Sequence, residues 1–308
     1  MPKPADAIVP IERLRAALAD PAGTWLRESL GIELAADDAE PAGCEPLWPQ
    51  AAADAALVQR CIERLLAGEP DDRIAQELAR APATPAGAAG ALDAYEAVAR
   101  ARALVARALP APSVPAAPLR DDPVVARIGE TRLRMARPAL DAQGRPLFVS
   151  AFPLSPHVLI DAWLRTAMWR FAVDSSALGC LVTPDETIEL RCARPLRALE
   201  HAITWSRRIR VQPLALFPRS WLRYARELAA PRSGGSRERV ALERAQLTLD
   251  GDEAGYVRAE RDRPAMRALY RDAEIAFERV RPLCERVYRP VFDDTSLAAS
   301  AVDPRGTE

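Results

Sequence analysis

Between residues 110 and 118 the chain reads PAPSVPAAP, and a proline at every second or third position admits neither a helix nor an interior strand. The hydrophobic period changes across this segment. Before it the spacing is helical: Pro10 to Ala19, Pro21 to Leu30 with a stop at Gly31, residues 54–67 with Leu57, Cys61, Leu65 and Val58, Ile62, Leu66 on adjoining stripes, and Leu92 to Leu109. After it, Val124 to Met135 and Leu147 to Phe152 read as strands joined by the turn DAQGRP. A helix over 156–171 and a hairpin of 178–182 with 187–191 follow. Helices near 195–208, 218–229, 237–248 and 264–289 then surround a short apolar strand at 211–216. The order predicts an α/β fold with one central mixed sheet flanked by helices. The N-terminal helices are expected to pack on that sheet, because Trp25, Leu26 and Leu30 otherwise expose an apolar stripe. The implied organisation is a helical portion over 1–110, a proline-rich loop over 111–122, an α/β core over 123–293 and a disordered polar tail over 294–308.

Several chemistries are excluded by what is missing. Lys3 is the only lysine, so a GxxxxGK[ST] phosphate loop and a lysine Schiff base cannot be built. The two histidines, His157 and His201, are too far apart for HExxH or zinc-finger spacing. Cysteines at 44, 61, 180, 192 and 284 show no CxxC pair and read as reduced thiols. With no apolar signal core in MPKPADAIVP and no membrane-length apolar run, a cytoplasmic protein is expected.

The formal charge is −1, but it is unevenly spread. Residues 1–100 hold nine basic and seventeen acidic side chains, whereas 203–239 hold nine Arg against Glu227 and Glu238. Two groups in the basic stretch are candidate phosphate contacts: Arg207, Arg208 and Arg210 at a helix end, and Arg219, Arg223 and Arg226 on one helix face. The plainer reading is that the first group complements a helix dipole and the second covers apolar surface and pairs with Glu227. Trp163, Trp169, Trp205 and Trp221 are either stacking platforms or, more commonly for this residue, core anchors. Gly87 and Gly90 suggest a phosphate cradle less well than a turn at the start of a helix.

Five segments in order resemble one family. They are LRAALADPAGTWLRESLGIEL, PATPAGAAG (82–90), LIDAWLRTAMWRFA (159–172), PLALFPRSWLRYAREL (213–228) and AFERVRPLCERVYRPVF (276–292). Together they resemble the C-terminal region of RecC, the gamma subunit of bacterial exodeoxyribonuclease V. The resemblance implies a degenerate PD-(D/E)xK nuclease-like fold without catalytic residues. It also implies RecB-like and RecD-like subunits and DNA as partners, a role in double-strand-break repair and recombination, and no cofactor, metal or membrane. The helicase-like domains that recognise Chi in that family are not part of the resemblance. Any DNA affinity is then expected to be weak, sequence-independent and lost with salt and on joint replacement of Arg219 and Arg223.

The residues can be checked against nuclease chemistry. Such a site needs an acid on one strand and (Asp/Glu)-x-Lys on the next, so that two carboxylates hold Mg²⁺. The strands expected to correspond are 124–135 and 147–152. The first carries Glu130, and LFVSAF in the second has neither acid nor lysine; Asp141 in the turn supplies one ligand. A non-catalytic scaffold follows, with an active nuclease using Glu130 and Asp141, or a standalone adaptor, as alternatives.

Overall fold

The computed structural model describes residues 8–34, 51–81, 84–85, 87–109, 122–230, 237–252, 259–270 and 273–295. The expected proline-rich loop, apart from Asp122, and the tail from residue 296 lie outside the described residues. The first half runs β1 (Ile8–Pro10), α1 (Ile11–Ala19), α2 (Pro21–Leu30), α3 (Ala51–Leu66), α4 (Asp71–Ala79) and α5 (Ala88–Ala108). The remainder runs β2 (Val124–Ile128), β3 (Thr131–Met135), β4 (Ala139–Leu140), β5 (Pro146–Val149), α6 (Pro156–Ala172), β6 (Gly179–Val182), β7 (Thr187–Leu190), α7 (Pro195–Val211), α8 (Pro218–Ala229), α9 (Arg237–Asp250), α10 (Pro264–Tyr270) and α11 (Phe277–Asp293).

Local chemistry sets the helix ends. In α2, Asp20 accepts from Gly23 N–H and Pro21 opens the first turn. Gly31 closes the helix at φ +68°, and its N–H and that of Ile32 bond back to Arg27 and Leu26 carbonyls. In α6, Ser155 accepts from Val158 N–H ahead of Pro156. Helix α6 is apolar nearly all round, with Leu159, Ile160, Trp163, Leu164, Ala167, Met168 and Trp169 buried, as a helix packed on several sides must be.

The mixed α/β class holds, but the strands form two sheets rather than one. Sheet 1 has the order β1-β3-β2, with β1 parallel and β2 antiparallel to β3. Sheet 2 has the order β4-β5-β6-β7, with β5 and β6 parallel because α6 is the crossover between them. Pro138, which has no N–H for a ladder, lies in the step from β3 to β4, where the chain leaves one sheet for the other. The two sheets are covered differently. Leu181, Ile188 and Leu190 of sheet 2 join the core containing α6, while Leu147, Val149 and Val182 join a second core with α3, α4 and α5. Sheet 1 buries only Val124, Ala126, Ile128, Leu133 and Met135, all on its α6 side, and turns its other face to water.

Other expectations need correction. Residues 124–135 are a complete hairpin turning at Gly129 and Glu130, not a single strand, and their partner is β1 rather than 147–152. No strand forms over 211–216: Val211 ends α7, Pro213 interrupts the rest, and Leu216 N–H bonds only to Leu214; Leu216 and Phe217 are buried as loop anchors. The long helix expected over 264–289 is two helices, α10 and α11. Leu26 is buried, but Leu30, on the last turn before Gly31, is 53% exposed.

Helix α7 meets α11 through His201, whose Nε2–H donates to the Val287 carbonyl at 2.9 Å and whose ring meets Trp205 edge-on. Burial holds this imidazole below its usual 6.5. A depressed folded value means that His201 contributes full stability above 6.5 and loses it as pH falls through the folded value. The ion-paired Glu28 and Asp54 are also held low, yet their losses begin only below 4.5 and 3.8. Melting curves between pH 7 and 5 are therefore expected to shift downward in the wild type, and part of that shift is expected to vanish in His201→Gln. An identical shift in both proteins contradicts this assignment.

Candidate nucleic-acid interface

The two arginine groups occupy different surroundings. At the end of α7, Arg207 donates to Thr131 Oγ1 at 2.9 Å and so ties this helix end to the start of β3. Arg208 lies over the Trp205 ring, 5.0 Å from its centre. Arg210 is half-buried, with Nε 3.1 Å from Glu28, while its carbonyl accepts from Ser29 Oγ. Burial draws the Arg210 guanidinium below its usual value and Glu28 opposes that shift. Cations here also face the negative end of the α7 dipole.

The three α8 arginines do share one exposed face. Arg223 pairs with Glu227 at 2.9 Å, one turn on, and Arg226 reaches Glu186 in the β6–β7 turn, also at 2.9 Å. Much of the positive charge read from the sequence is therefore met within the fold. Arg207 and Arg226 anchor to different sheets, through Thr131 of sheet 1 and Glu186 of sheet 2.

The first turn of α8 carries a feature that local sequence does not reveal. Phe217 precedes the helix and cannot cap it, yet Glu260, wholly buried and forty residues on, accepts from Arg219 N–H at 2.9 Å and from Ser220 N–H and Oγ at 2.8 Å. Burial pushes this carboxyl up, while the three donors pull it back. No S/T-x-x-E spacing announces such a cap, because the acid comes from a distant loop.

The proposed acid pair is not gathered into one site. Glu130 lies in the turn of sheet 1 and Asp141 in the turn of sheet 2 between β4 and β5. Asp141 is buried and organises that turn: Oδ1 accepts from Gln143 and Arg145 N–H, and Oδ2 meets Arg145 Nε at 2.6 Å. Among the described residues no group of three or more His, Cys, Asp or Glu is placed to hold a metal ion. Behind β5, Gln59 of α3 accepts from Ala151 N–H and fills a backbone role.

The remaining motifs resolve into structure. Trp163, Trp169, Trp205 and Trp221 are all 5% exposed or less, so none offers an open ring face to a base. Gly87 precedes α5 at φ +81°, and a Cβ on Gly90 would sit 1.8 Å from the Pro85 carbonyl oxygen, so these glycines serve the chain reversal into α5. Cys61, Cys192 and Cys284 are buried free thiols. Among the described residues no helix is long and apolar enough to cross a membrane.

In comparison with known proteins, the family model described as the RecC C-terminal domain matches residues 6–229. That span takes in both sheets and ends with α8, so the resemblance read over 276–292 lies beyond it. A search of curated proteins returns no match.

Proposed function

From the premise that this chain belongs to the RecC C-terminal domain family, we propose that it acts as a non-catalytic scaffold in a RecBCD-type helicase-nuclease. In this reading it docks RecB-like and RecD-like subunits and lines the DNA path during double-strand-break repair. The observation that carries the reading is the family match across residues 6–229. The chemistry of the strands supports it: β5 and its continuation, LFVSAF, supply no acid and no lysine, and both oxygens of Asp141 are engaged in its own turn. A divalent ion needs several oxygen ligands, and a lone engaged carboxylate is a poor start. Arg207, Arg208, Arg210, Arg219, Arg223 and Arg226 remain candidate contacts along the DNA path, with the α7 group less neutralised by acids than Arg223 and Arg226.

Incubation of the purified chain with end-labelled linear DNA and Mg²⁺ or Mn²⁺ is expected to give no cleavage above a metal-free control. Metal-dependent cleavage abolished by Glu130→Ala or Asp141→Ala would replace this reading with an active nuclease.

A further inference from the structure

The outward face of sheet 1 carries a basic array that the 203–239 charge count does not include. Across the three strands two rows face solvent: Ile8, Arg132 and Arg127, and Pro10, Arg134 and Val125. Arg132 and Arg134, two residues apart on one strand, stand about 7 Å apart along it. Arg127 is directly opposite Arg132 on the neighbouring strand, about 5 Å away at Cβ. Among the described residues the Arg132 and Arg134 side chains make no hydrogen bond or ion pair, and the Arg127 side chain donates only to the Gly129 carbonyl. Ile8 and Val125 beside them are 45% and 43% exposed.

This arrangement has a cost in the free protein. Like charges directly opposite on a sheet repel, and the six outward residues include no acid, the one acid of the hairpin being Glu130 in its turn. A bound polyanion removes that repulsion. The face also has no aromatic side chain, so it offers nothing for an unpaired base to stack on, and arginine contacts to a phosphate backbone carry no sequence information. Arg207 reaches the same hairpin through Thr131, which alternates with Arg132 and so lies on the other, helix-covered face with Leu133 and Met135; the α7 basic end is therefore a separate group.

We propose that Arg127, Arg132 and Arg134 form a sequence-independent binding face for the phosphate backbone of duplex DNA. The proposal rests on the DNA-path reading above and moves its main contact from the α7 and α8 arginines to sheet 1.

The test is a fluorescence titration of a labelled blunt duplex against the chain at several salt concentrations. Three proteins are compared: the wild type, Arg127→Ala/Arg132→Ala/Arg134→Ala, and a charge-matched control, Arg60→Ala/Arg80→Ala/Arg279→Ala, built from exposed arginines elsewhere. The sheet variant is expected to bind roughly tenfold or more weakly at low salt, and its log K against log[salt] slope to be shallower by about 2.7, or ~0.9 for each lost phosphate contact. The control is expected to keep the wild-type slope. Arg132→Glu, which places an acid opposite Arg127, is expected to weaken binding while the melting temperature stays level or rises, an outcome that a merely structural role for Arg132 does not give.

Wild-type affinity and slope in the sheet variant overturn the proposal, as does a wild type with no measurable binding at low salt. Poly-L-glutamate that binds the wild type more tightly than the duplex, through the same arginines, also overturns it and marks the face as a dock for an acidic protein segment. None of these results touches subunit assembly, by which the scaffold reading is judged separately.

Discussion

Glu260→Ala is expected to destabilise the fold by about 3–5 kcal/mol, measured as a fall in urea midpoint and melting temperature. The carboxylate is fully buried and meets three donors, two of them the backbone N–H groups of Arg219 and Ser220 at the start of α8. Truncation leaves those donors without their acceptor. The loop holding Glu260 is itself tied to α9, with Glu260 N–H on Thr248 and Arg261 N–H on Leu249, so the acid cannot be substituted by a small shift of its neighbours. Glu260→Gln retains one acceptor oxygen and is expected to cost less, about 1–2 kcal/mol. Wild-type melting in Glu260→Ala would show that α8 does not depend on this cap.

The second large effect is expected at Trp163. Its side chain is fully buried on α6, and its Nε1–H donates to Asp294 Oδ2 at 3.0 Å. Asp294 also accepts from Ala193 N–H at 3.1 Å, while its carbonyl takes Arg191 N–H at 2.7 Å. The bridge Leu190 to Thr295 then lays the chain after α11 along the outer edge of β7. This clasp holds Cys192 at φ +40°, a left-handed conformation that costs a non-glycine residue about 1–2 kcal/mol. Trp163→Ala is expected to cost about 3–5 kcal/mol through cavity formation and the stranded carboxylate. Trp163→Phe and Asp294→Ala are each expected to cost about 1–2 kcal/mol, with a double variant less destabilised than their sum because both remove the same bond. Strict additivity would show that the indole and the carboxylate do not act together.

Elements with a strong local signature were legible in the sequence. Pro156, Pro195 and Pro218 mark the starts of α6, α7 and α8, and Gly31 ends α2 where expected, because each acts through its own backbone geometry. The hairpin β6–β7 was equally clear from its turn. Short or polar elements were missed. Strand β1 is three residues long and exists only by pairing with β3, and α4 buries just Ile74, Ala75 and Leu78 beneath an otherwise charged sequence. The split into two sheets depends on which strands find each other across more than a hundred residues, which period alone does not encode. The candidate interface divides in the same way. The charge of Arg219, Arg223 and Arg226 is visible in the sequence, but the acids that meet Arg226 and the α8 backbone, Glu186 and Glu260, arrive from distant loops. Arg127, Arg132 and Arg134 lie in a stretch whose alternation was legible, but the bare outer face was not, because an open face is set by where the helices pack.

The scaffold reading is tested most directly by native mass spectrometry of the chain co-expressed with the RecB-like and RecD-like subunits of its own genome. The expected result is one stoichiometric assembly containing all three proteins, whose nuclease activity is unchanged by Glu130→Ala and Asp141→Ala in this chain. A chain that purifies free of both subunits, or an assembly whose cleavage is lost with either of those acids, contradicts the account.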